Sequence, residues 1–122
     1  MAFLHDDVLD GGLDVLTADA DKLVLCSQAP TSFAEANATY KLAEKASPTV
    51  GAAEDRAGGG RKVVVAAITD GSVTATGTAT HWALLDTANS KLLAWQTVTS
   101  QALTNGNTFQ LNALNIGIPD PA

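Results

Sequence analysis

The side chains that could do chemistry are few, and they lie far apart along the sequence. The histidines are His5 and His81. His5 stands beside Asp6 and Asp7, but consecutive residues of a helix point in different directions, so we expect a solvated helix start there rather than a metal site. His81 lies in a strand-like stretch, where a histidine hydrogen-bonded within a sheet is the ordinary interpretation. A nucleophile–base pair of Cys26, or of a serine, with His81 is geometrically possible, but no motif supports it.

Cys26 is the only cysteine, which excludes an internal disulfide framework and a thiolate metal cluster. Its neighbours Leu23, Val24 and Leu25 predict a buried thiol. The alternative is a reactive or intersubunit thiol, but no nearby histidine or basic residue would activate it.

The glycine-rich segment Arg56–Lys62 is the one stretch that resembles a phosphate cradle. It precedes a strand rather than a helix, and it lacks the Gly-Lys-Ser/Thr ending of a P-loop, so we expect a flexible turn. Its basic residues, Arg56 and Arg61 among them, could meet an acidic partner. Threonine and asparagine ladders can bind sugars or ice, but Trp82 and Trp95 more simply anchor a core or an interface. We find no zinc spacing, calcium loop or paired-carboxylate motif, so the sequence predicts no catalytic residue, no metal and no cofactor.

Composition limits the classes of function further. The 122 residues suit one domain, and a hydrophobic content of 46% is enough for a compact core. Only 16% of the residues are charged, and low charge is typical of a surface that is extracellular or partly covered by partners. The net charge of −6, with no stripe of lysine and arginine, argues against nucleic-acid binding. No apolar stretch approaches the length of a membrane span. Met1–Asp7 has no signal-peptide character, so we expect synthesis in the cytoplasm and no export unless something larger carries the protein out.

The first half of the chain predicts one helix and two short strands. Apolar residues recur at helical spacing over Phe3–Leu16, which predicts an amphipathic helix. Lys22–Ser27 reads as a short buried strand, Ser32–Glu35 as one helical turn and Thr39–Lys45 as a second strand. The stretch Ser47–Gly60 is a long loop and the best candidate for an arm or contact loop.

The second half carries the stronger β signal. Lys62–Ile68 is a continuous apolar run that predicts a strand buried on both faces. Asp70-Gly71 predicts a hairpin turn. Ser72–Thr80 alternates small apolar residues with threonine, the period of a strand. His81–Asp86 continues that strand or follows a bulge, and a turn leads to a returning strand at Lys91–Val98.

A second hairpin-type dipeptide, Asn105-Gly106, precedes predicted strands at Thr108–Leu114 and Asn115–Ile118. The pattern predicts a mainly β protein, a single β-sandwich or small barrel of about seven strands with one N-terminal amphipathic helix. We expect one domain over residues 1–122, with a helix and arm at 1–20 and the β-sandwich at 21–122.

A run of motifs resembles a family of small virion proteins encoded in the structural-gene clusters of tailed bacteriophages and prophages. These motifs are an N-terminal Leu-Leu-Asp-like stretch at Val8–Asp10, the glycine-rich turn Gly58–Lys62, Thr-His-x-Ala-Leu-x-Asp at Thr80–Asp86, Ser-Lys-Leu-Leu-Ala-Trp at Ser90–Trp95 and Asn-Gly-Asn-Thr-Phe at Asn105–Phe109. The resemblance covers nearly the whole chain.

The polar, alanine-rich stretch Phe33–Ala46 departs from the family pattern, so no contact is carried over there. The resemblance implies a non-enzymatic structural protein of the virion, either a head decoration (cement) protein or a head-fibre or tail-fibre component. The implied partners are the major capsid protein, or tail and fibre proteins, and further copies of the same chain. A carbohydrate or small-ligand binding module is a less favoured alternative. The residues expected to contact partners are Met1, Ala2, Phe3, Leu4, Arg56, Arg61, Trp82 and Trp95.

Overall fold

A computed structural model describes residues 6–118 of the chain, and this part is mainly β. Its elements follow one another in the order α1 (Asp6–Asp19), β1 (Lys22–Cys26), a short π-helix (Glu35–Thr39), β2 (Lys41–Ala46), β3 (Glu54–Asp55), β4 (Arg61–Val65), β5 (Ile68–Val73), β6 (Gly77–Asp86), β7 (Lys91–Leu103), β8 (Thr108–Leu111) and β9 (Leu114–Ile118). The expected fold class, a small β-sandwich or barrel behind an N-terminal helix, is confirmed, with nine strands in the described part where we expected about seven.

The strands form two antiparallel sheets. The larger sheet has six strands in the order β7-β6-β1-β2-β5-β8 and curls into a half-barrel. The smaller sheet has the order β3-β4-β9. In the larger sheet β7 and β8 are the two edge strands, although they are consecutive in sequence, because the chain crosses from one edge to the other through the turn at Asn105-Gly106. Gly106 has a φ of 92°, a backbone conformation that glycine adopts without strain, so a turn forms here as predicted. The turn does not close a hairpin, because the flanking strands β7 and β8 do not pair with each other.

The main core lies between the half-barrel, the smaller sheet and α1. Leu13 and Leu16 of α1 point into it, next to Val63 of β4, and Leu23 and Trp82 contribute from β1 and β6. Within α1, Asp14, Thr17 and Asp19 are exposed, which is the amphipathic arrangement that the sequence predicts. Residues 3–5 of the predicted helix lie outside the described part.

A second, smaller cluster covers the outer face of the larger sheet. It contains Val24, Cys26, Ala83 and Leu85, with Ala36 of the π-helix packed over them. Both faces of β1 are therefore buried, which explains why its sequence is continuously apolar. The predicted helical turn at Ser32 is confirmed, since the Ser32 hydroxyl oxygen accepts a hydrogen bond from the Glu35 N–H at 3.2 Å.

The predicted strand Lys62–Ile68 is wrong as one strand. β4 ends at Val65, and Ala66 and Ala67 are exposed where the chain crosses from the smaller sheet to the larger one. Ile68 then begins β5. The apolar run was continuous because two different strands in two different sheets each use part of it.

The predicted hairpin turn at Asp70-Gly71 is also wrong, since both residues lie inside β5. The long strand predicted over Ser72–Thr80 is interrupted after Val73. Thr74 and Ala75 leave the sheet, and both of their backbone N–H groups donate to the carbonyl oxygen of Leu42. The backbone thus turns around the end of β2 before β6 begins.

The predicted contact loop Ser47–Gly60 is more ordered than expected. β3 lies within it and pairs with β4. Val50 forms an isolated bridge with Val65, and the Gly51 N–H donates to the Val64 carbonyl at 2.9 Å. These contacts attach most of the stretch to the smaller sheet, which leaves the turn after Asp55 as its most open part.

Candidate interaction surfaces

The two side chains with the most reactive groups, Cys26 and His81, lie next to each other on β1 and β6, but burial keeps the thiol from being activated. Cys26 and His81 are direct cross-strand partners. The Cys26 thiol is fully buried and donates to the Ala36 carbonyl at 3.8 Å. Burial raises the pKa of this thiol to about 11, which disfavours the thiolate that a nucleophile needs. The prediction of a buried thiol is confirmed.

His81 instead takes part in a hydrogen-bonded chain along the sheet. The Thr80 hydroxyl donates to the Ser27 carbonyl at 3.0 Å, and the same oxygen lies 2.8 Å from Nδ1 of His81. Both hydrogen bonds form at once when Nδ1 of His81 carries a proton and donates it to the Thr80 hydroxyl oxygen. This is the sheet-bound histidine that the sequence indicates.

The two tryptophans have opposite environments. Trp82 is 3% exposed and packs in the main core, whereas Trp95 is 47% exposed on β7. The ring of His81 contacts the ring of Trp95 edge to face, with ring centroids 5.6 Å apart and an angle of 62° between the planes. Trp95 lies opposite Ala83 in the register of β6 and β7, and Thr97 lies opposite His81. Of the two tryptophans, Trp95 is therefore the one that a partner could contact.

Trp95 lies on a strand with no charged residue after its first position. β7 begins with Lys91, and the next twelve residues, Leu92–Leu103, contain neither a charge nor a proline. We call the exposed residues Trp95 and Thr97, together with His81 beside them, the Trp95 surface. Its uncharged, aromatic character is typical of the central part of protein interfaces.

A groove separates the far half of β7 from β8, the other edge of the half-barrel. Its volume is about 430 Å³. The Gln101 side chain reaches across it and donates from Nε2 to the Gln110 carbonyl at 3.5 Å. The residues that line this groove are uncharged, namely Thr97, Val98, Thr99, Gln101, Gln110, Leu111, Asn112 and Leu114. It is a shallow seam between two strand edges.

The glycine-rich turn is closed by its own hydrogen bonds. Gly58, Gly59 and Gly60 all have positive φ angles, and Nη1 of Arg56 donates to the Gly59 carbonyl at 2.9 Å. A groove of about 380 Å³ lies beside Arg56 and Lys62. Nζ of Lys62 is 3.6 Å from a Glu54 carboxylate oxygen, so much of the positive charge here is already balanced.

Arg61 connects three parts of the fold from within. Its Nε donates to Asp10 of α1 at 2.9 Å, its Nη1 to Asp55 of β3 at 2.6 Å and its Nη2 to the Ala53 carbonyl at 3.2 Å. The structure thus gives Arg61 an internal role that its position in a basic segment did not indicate. Met1–Leu4, the other predicted contact residues, lie outside the described part.

Three kinds of feature are absent from the described residues, namely metal-binding clusters, unsatisfied buried polar side chains and membrane-spanning helices. Between residues 6 and 118, no three histidine, cysteine, aspartate or glutamate side chains gather closely enough to bind a metal ion. Every buried side-chain nitrogen or oxygen in that range has a hydrogen-bond partner. No helix in the same range combines the length and the apolar character needed to cross a bilayer.

Comparison with known proteins identifies no relative of this chain. No protein-family model matches the chain, and neither a curated protein nor a solved structure matches it.

Proposed function

We propose that this protein is a non-enzymatic structural component of a phage-type virion, and specifically a decoration protein that binds the outside of the capsid shell and bridges neighbouring major capsid subunits. The observation that carries the proposal is the exposed Trp95 on an uncharged strand. The resemblance of Thr80–Asp86 and Ser90–Trp95 to small virion proteins supports a partner within the virion, either the shell or a tail or fibre protein.

The Trp95 surface has the properties of an interface anchor. Tryptophan contributes a large apolar area with few rotatable bonds, and it is enriched among the residues that dominate binding energy. The edge-on contact with His81 holds the Trp95 ring in place before any partner arrives, which lowers the entropy lost on binding. No charged side chain on β7 after Lys91 has to be desolvated when this surface is covered.

The polar side chains of the described part support a structural role. Arg61 joins α1 to the smaller sheet, Asp21 joins β1 to the turn after β6, and Thr80 joins β6 to the segment after β1. Side chains that hold elements together leave few groups for a reaction. The raised pKa of Cys26 further argues against nucleophilic catalysis.

Bridging explains how so small a protein could stabilise a shell. A standard interface buries on the order of 800 Å² per partner, against a total accessible surface of 6471 Å² for this chain. Contact with two capsid subunits at once would use a substantial part of the surface, and each bridged contact would have to break before the subunits separate. Simultaneous contacts also reinforce one another through effective concentration.

The proposal is tested by adding the purified protein to undecorated capsids. We expect saturable binding in a simple multiple of the capsomer number and a higher temperature of shell rupture. Trp95→Ala should weaken binding strongly, whereas Val15→Ala should not, because Val15 is a similarly exposed apolar side chain, 43% exposed, on α1. Absence of binding to shells would overturn the decoration role, and binding to tails or to cell-surface glycans instead would assign the protein to a fibre.

A further inference from the structure

We infer that the free edge of β7 between Ala94 and Thr97 binds the same edge of a second copy in antiparallel orientation, which joins two half-barrels into one continuous sheet. The inference deepens the proposed function, since it identifies a partner and the surface that partner uses, and it rests on that function only for its biological purpose.

The first argument is that the part of this edge between Ala94 and Thr97 carries no charge and no proline. An edge strand presents unpaired N–H and C=O groups, and monomeric proteins blunt such edges with charged residues, proline, β-bulges or short strands. β7 is the longest strand of the described part, thirteen residues, and within the described part it pairs only with β6. After Lys91 it contains no charge and no proline. The opposite edge, β8, has four residues.

The second argument locates the available part of the edge. The register passes from Thr97 opposite His81 to Gln101 opposite Ala79, so Val98, Thr99 and Ser100 bulge out against a single residue of β6. Beyond the bulge, Gln101 reaches across the seam to β8. Bulges bend a strand and end regular pairing. A second bulge lies at Leu93, since Leu84 lies opposite Ala94 and Leu85 lies opposite Leu92. The regular stretch between the two bulges, Ala94–Thr97, is thus the part of the edge that remains open to another strand.

The third argument selects a second copy as the occupant. Two identical edges satisfy one another by a two-fold axis, so the same surface serves both sides. In the antiparallel orientation, the Lys91 residues of the two copies lie beyond opposite ends of the new ladder, so their charges stay apart. A charged partner strand would find no complementary charge in Ala94–Thr97.

The symmetry also fixes a property of the register. A two-fold axis perpendicular to the sheet keeps the outer faces of both copies on the same side, so every residue pairs with one that points to the same face. Residues on the same face of a regular strand differ by an even number of positions, so the numbers of two paired residues add up to an even number. The residue whose number is half of that sum lies opposite its own copy. The Trp95 side chains of the two copies consequently lie on one common face, which doubles the Trp95 surface presented to a shell.

The inference is tested with the purified protein alone, without shells. Sedimentation velocity over a wide range of concentrations should show a reversible dimer. Thr97→Lys should shift the chain to a monomer, because it places two like charges close to the two-fold axis. Thr108→Lys is the matched control, the same change at an exposed threonine on the other edge strand, and it should leave the dimer intact. A wild-type chain that stays monomeric, or equal effects of the two substitutions, would overturn the inference.

Cross-linking tests the register independently, even if Thr97→Lys impairs folding. Cysteine is introduced singly at Trp95, Gln96 and Thr97, and the native Cys26 does not interfere because it is buried. A residue opposite its own copy has a Cα–Cα distance of about 4.5–5.5 Å, within the range for a disulfide, while a neighbouring position is offset by roughly 7 Å along the strand. We expect one position to cross-link far more efficiently than the next. Uniform or absent cross-linking contradicts the paired edge.

These results separate this inference from the proposed function. A monomer that still binds shells overturns the inference alone, and a dimer that binds no shell overturns the proposed function alone. If both hold, the apparent affinity of the wild type for shells should rise over the range of protein concentration in which the dimer forms, because contact then becomes bivalent.

Discussion

Gly71 of β5 lies directly opposite Phe109 of β8, and the Phe109 ring occupies the space that a Cβ atom at Gly71 would fill. The ring is almost completely buried in the main core. Glycine is therefore required at this position by the close approach of an aromatic side chain, and the pair attaches the edge strand β8 to the sheet.

Replacement of Gly71 by alanine should destabilise the protein, because the added methyl group must displace the Phe109 ring. We expect a loss of about 1–3 kcal/mol in the free energy of unfolding, the range for overpacking of a core. Gly11→Ala is the matched control, since its Cβ would meet no atom within 4 Å in the middle of α1. There the higher helix propensity of alanine should stabilise the protein by about 1 kcal/mol. Denaturant unfolding of the two variants measures both effects, and equal stabilities would refute the steric explanation.

The same glycine shows why part of the fold escaped prediction. Asp70-Gly71 has the local signature of a hairpin turn, but its true role depends on Phe109, a residue far away in the sequence that packs against it. A dipeptide pattern carries no information about such a distant neighbour. By contrast, Asn105-Gly106 forms the predicted turn, because there the positive φ of Gly106 satisfies a purely local requirement.

The alternation of Ser72–Thr80 was informative about side chains but not about the backbone. Val73 and Ala79 are buried, while Thr74 and Thr76 are exposed, as the period of two predicts. The ladder nevertheless breaks after Val73, because the chain passes around the end of β2 while its side chains keep alternating between core and solvent. Periodicity thus predicts which way a residue points and leaves strand continuity open.

The candidate surface was predictable only in part. The sequence marked Trp82 and Trp95 as equivalent anchors, and their difference arises from sheet order. Trp82 lies on β6, which is covered by strands on both sides, whereas Trp95 lies on the edge strand β7. Edge position follows from long-range pairing, which a single sequence does not reveal. Cys26 was easier, because three apolar neighbours on a short strand already predicted its burial.

Asp21 should make stability depend on pH in the acid range. The Thr87 backbone N–H donates to the Asp21 carboxylate at 2.9 Å and the Thr87 hydroxyl donates at 2.8 Å. These bonds, the backbone one first, hold the pKa of Asp21 below its ordinary value of 3.8. A lowered pKa in the folded state means that the stabilisation is present above pH 3.8 and is lost as the pH falls through the folded value.

We therefore expect the stability difference between the wild type and Asp21→Asn to be constant near neutral pH and to shrink in acid. Thr87→Val removes the hydroxyl donor but keeps the backbone donor, so it should reduce this pH dependence without abolishing it. Denaturant unfolding at a series of pH values measures both variants. A difference that does not change with pH would contradict the assignment of these bonds.

Arg61 should couple more strongly to Asp10 than to Asp55. The Asp10 side chain is 24% exposed and accepts from two nitrogens of Arg61, whereas the Asp55 side chain is 92% exposed. Water and salt screen the exposed pair, so we expect less than about 1 kcal/mol of coupling there and about 1.5–3 kcal/mol for the Asp10 pair. Double-mutant cycles with Arg61→Ala measure both couplings. Arg61→Lys should lose most of the Asp10 coupling, because lysine lacks the guanidinium fork. A larger coupling to Asp55 than to Asp10 would show that α1 is held by other contacts.

Substitution of the two tryptophans should change the free energy of unfolding by different amounts, because Trp82 is buried and Trp95 is exposed. Trp82→Ala removes a large buried side chain from the main core and should cost about 3–5 kcal/mol of unfolding free energy. Trp95→Ala removes mainly the contact with His81 and should cost about 0.5–1.5 kcal/mol.

Phenylalanine substitutions supply matched single-tryptophan proteins for fluorescence. In the Trp82→Phe protein, a water-soluble quencher should reduce the emission of Trp95 readily, and in the Trp95→Phe protein the emission of Trp82 should resist quenching. If the second copy pairs along β7, quenching of Trp95 should weaken as the protein concentration rises, and Thr97→Lys should remove that dependence. Equal quenching of both tryptophans would contradict the placement of Trp82 in the core and of Trp95 on the free edge.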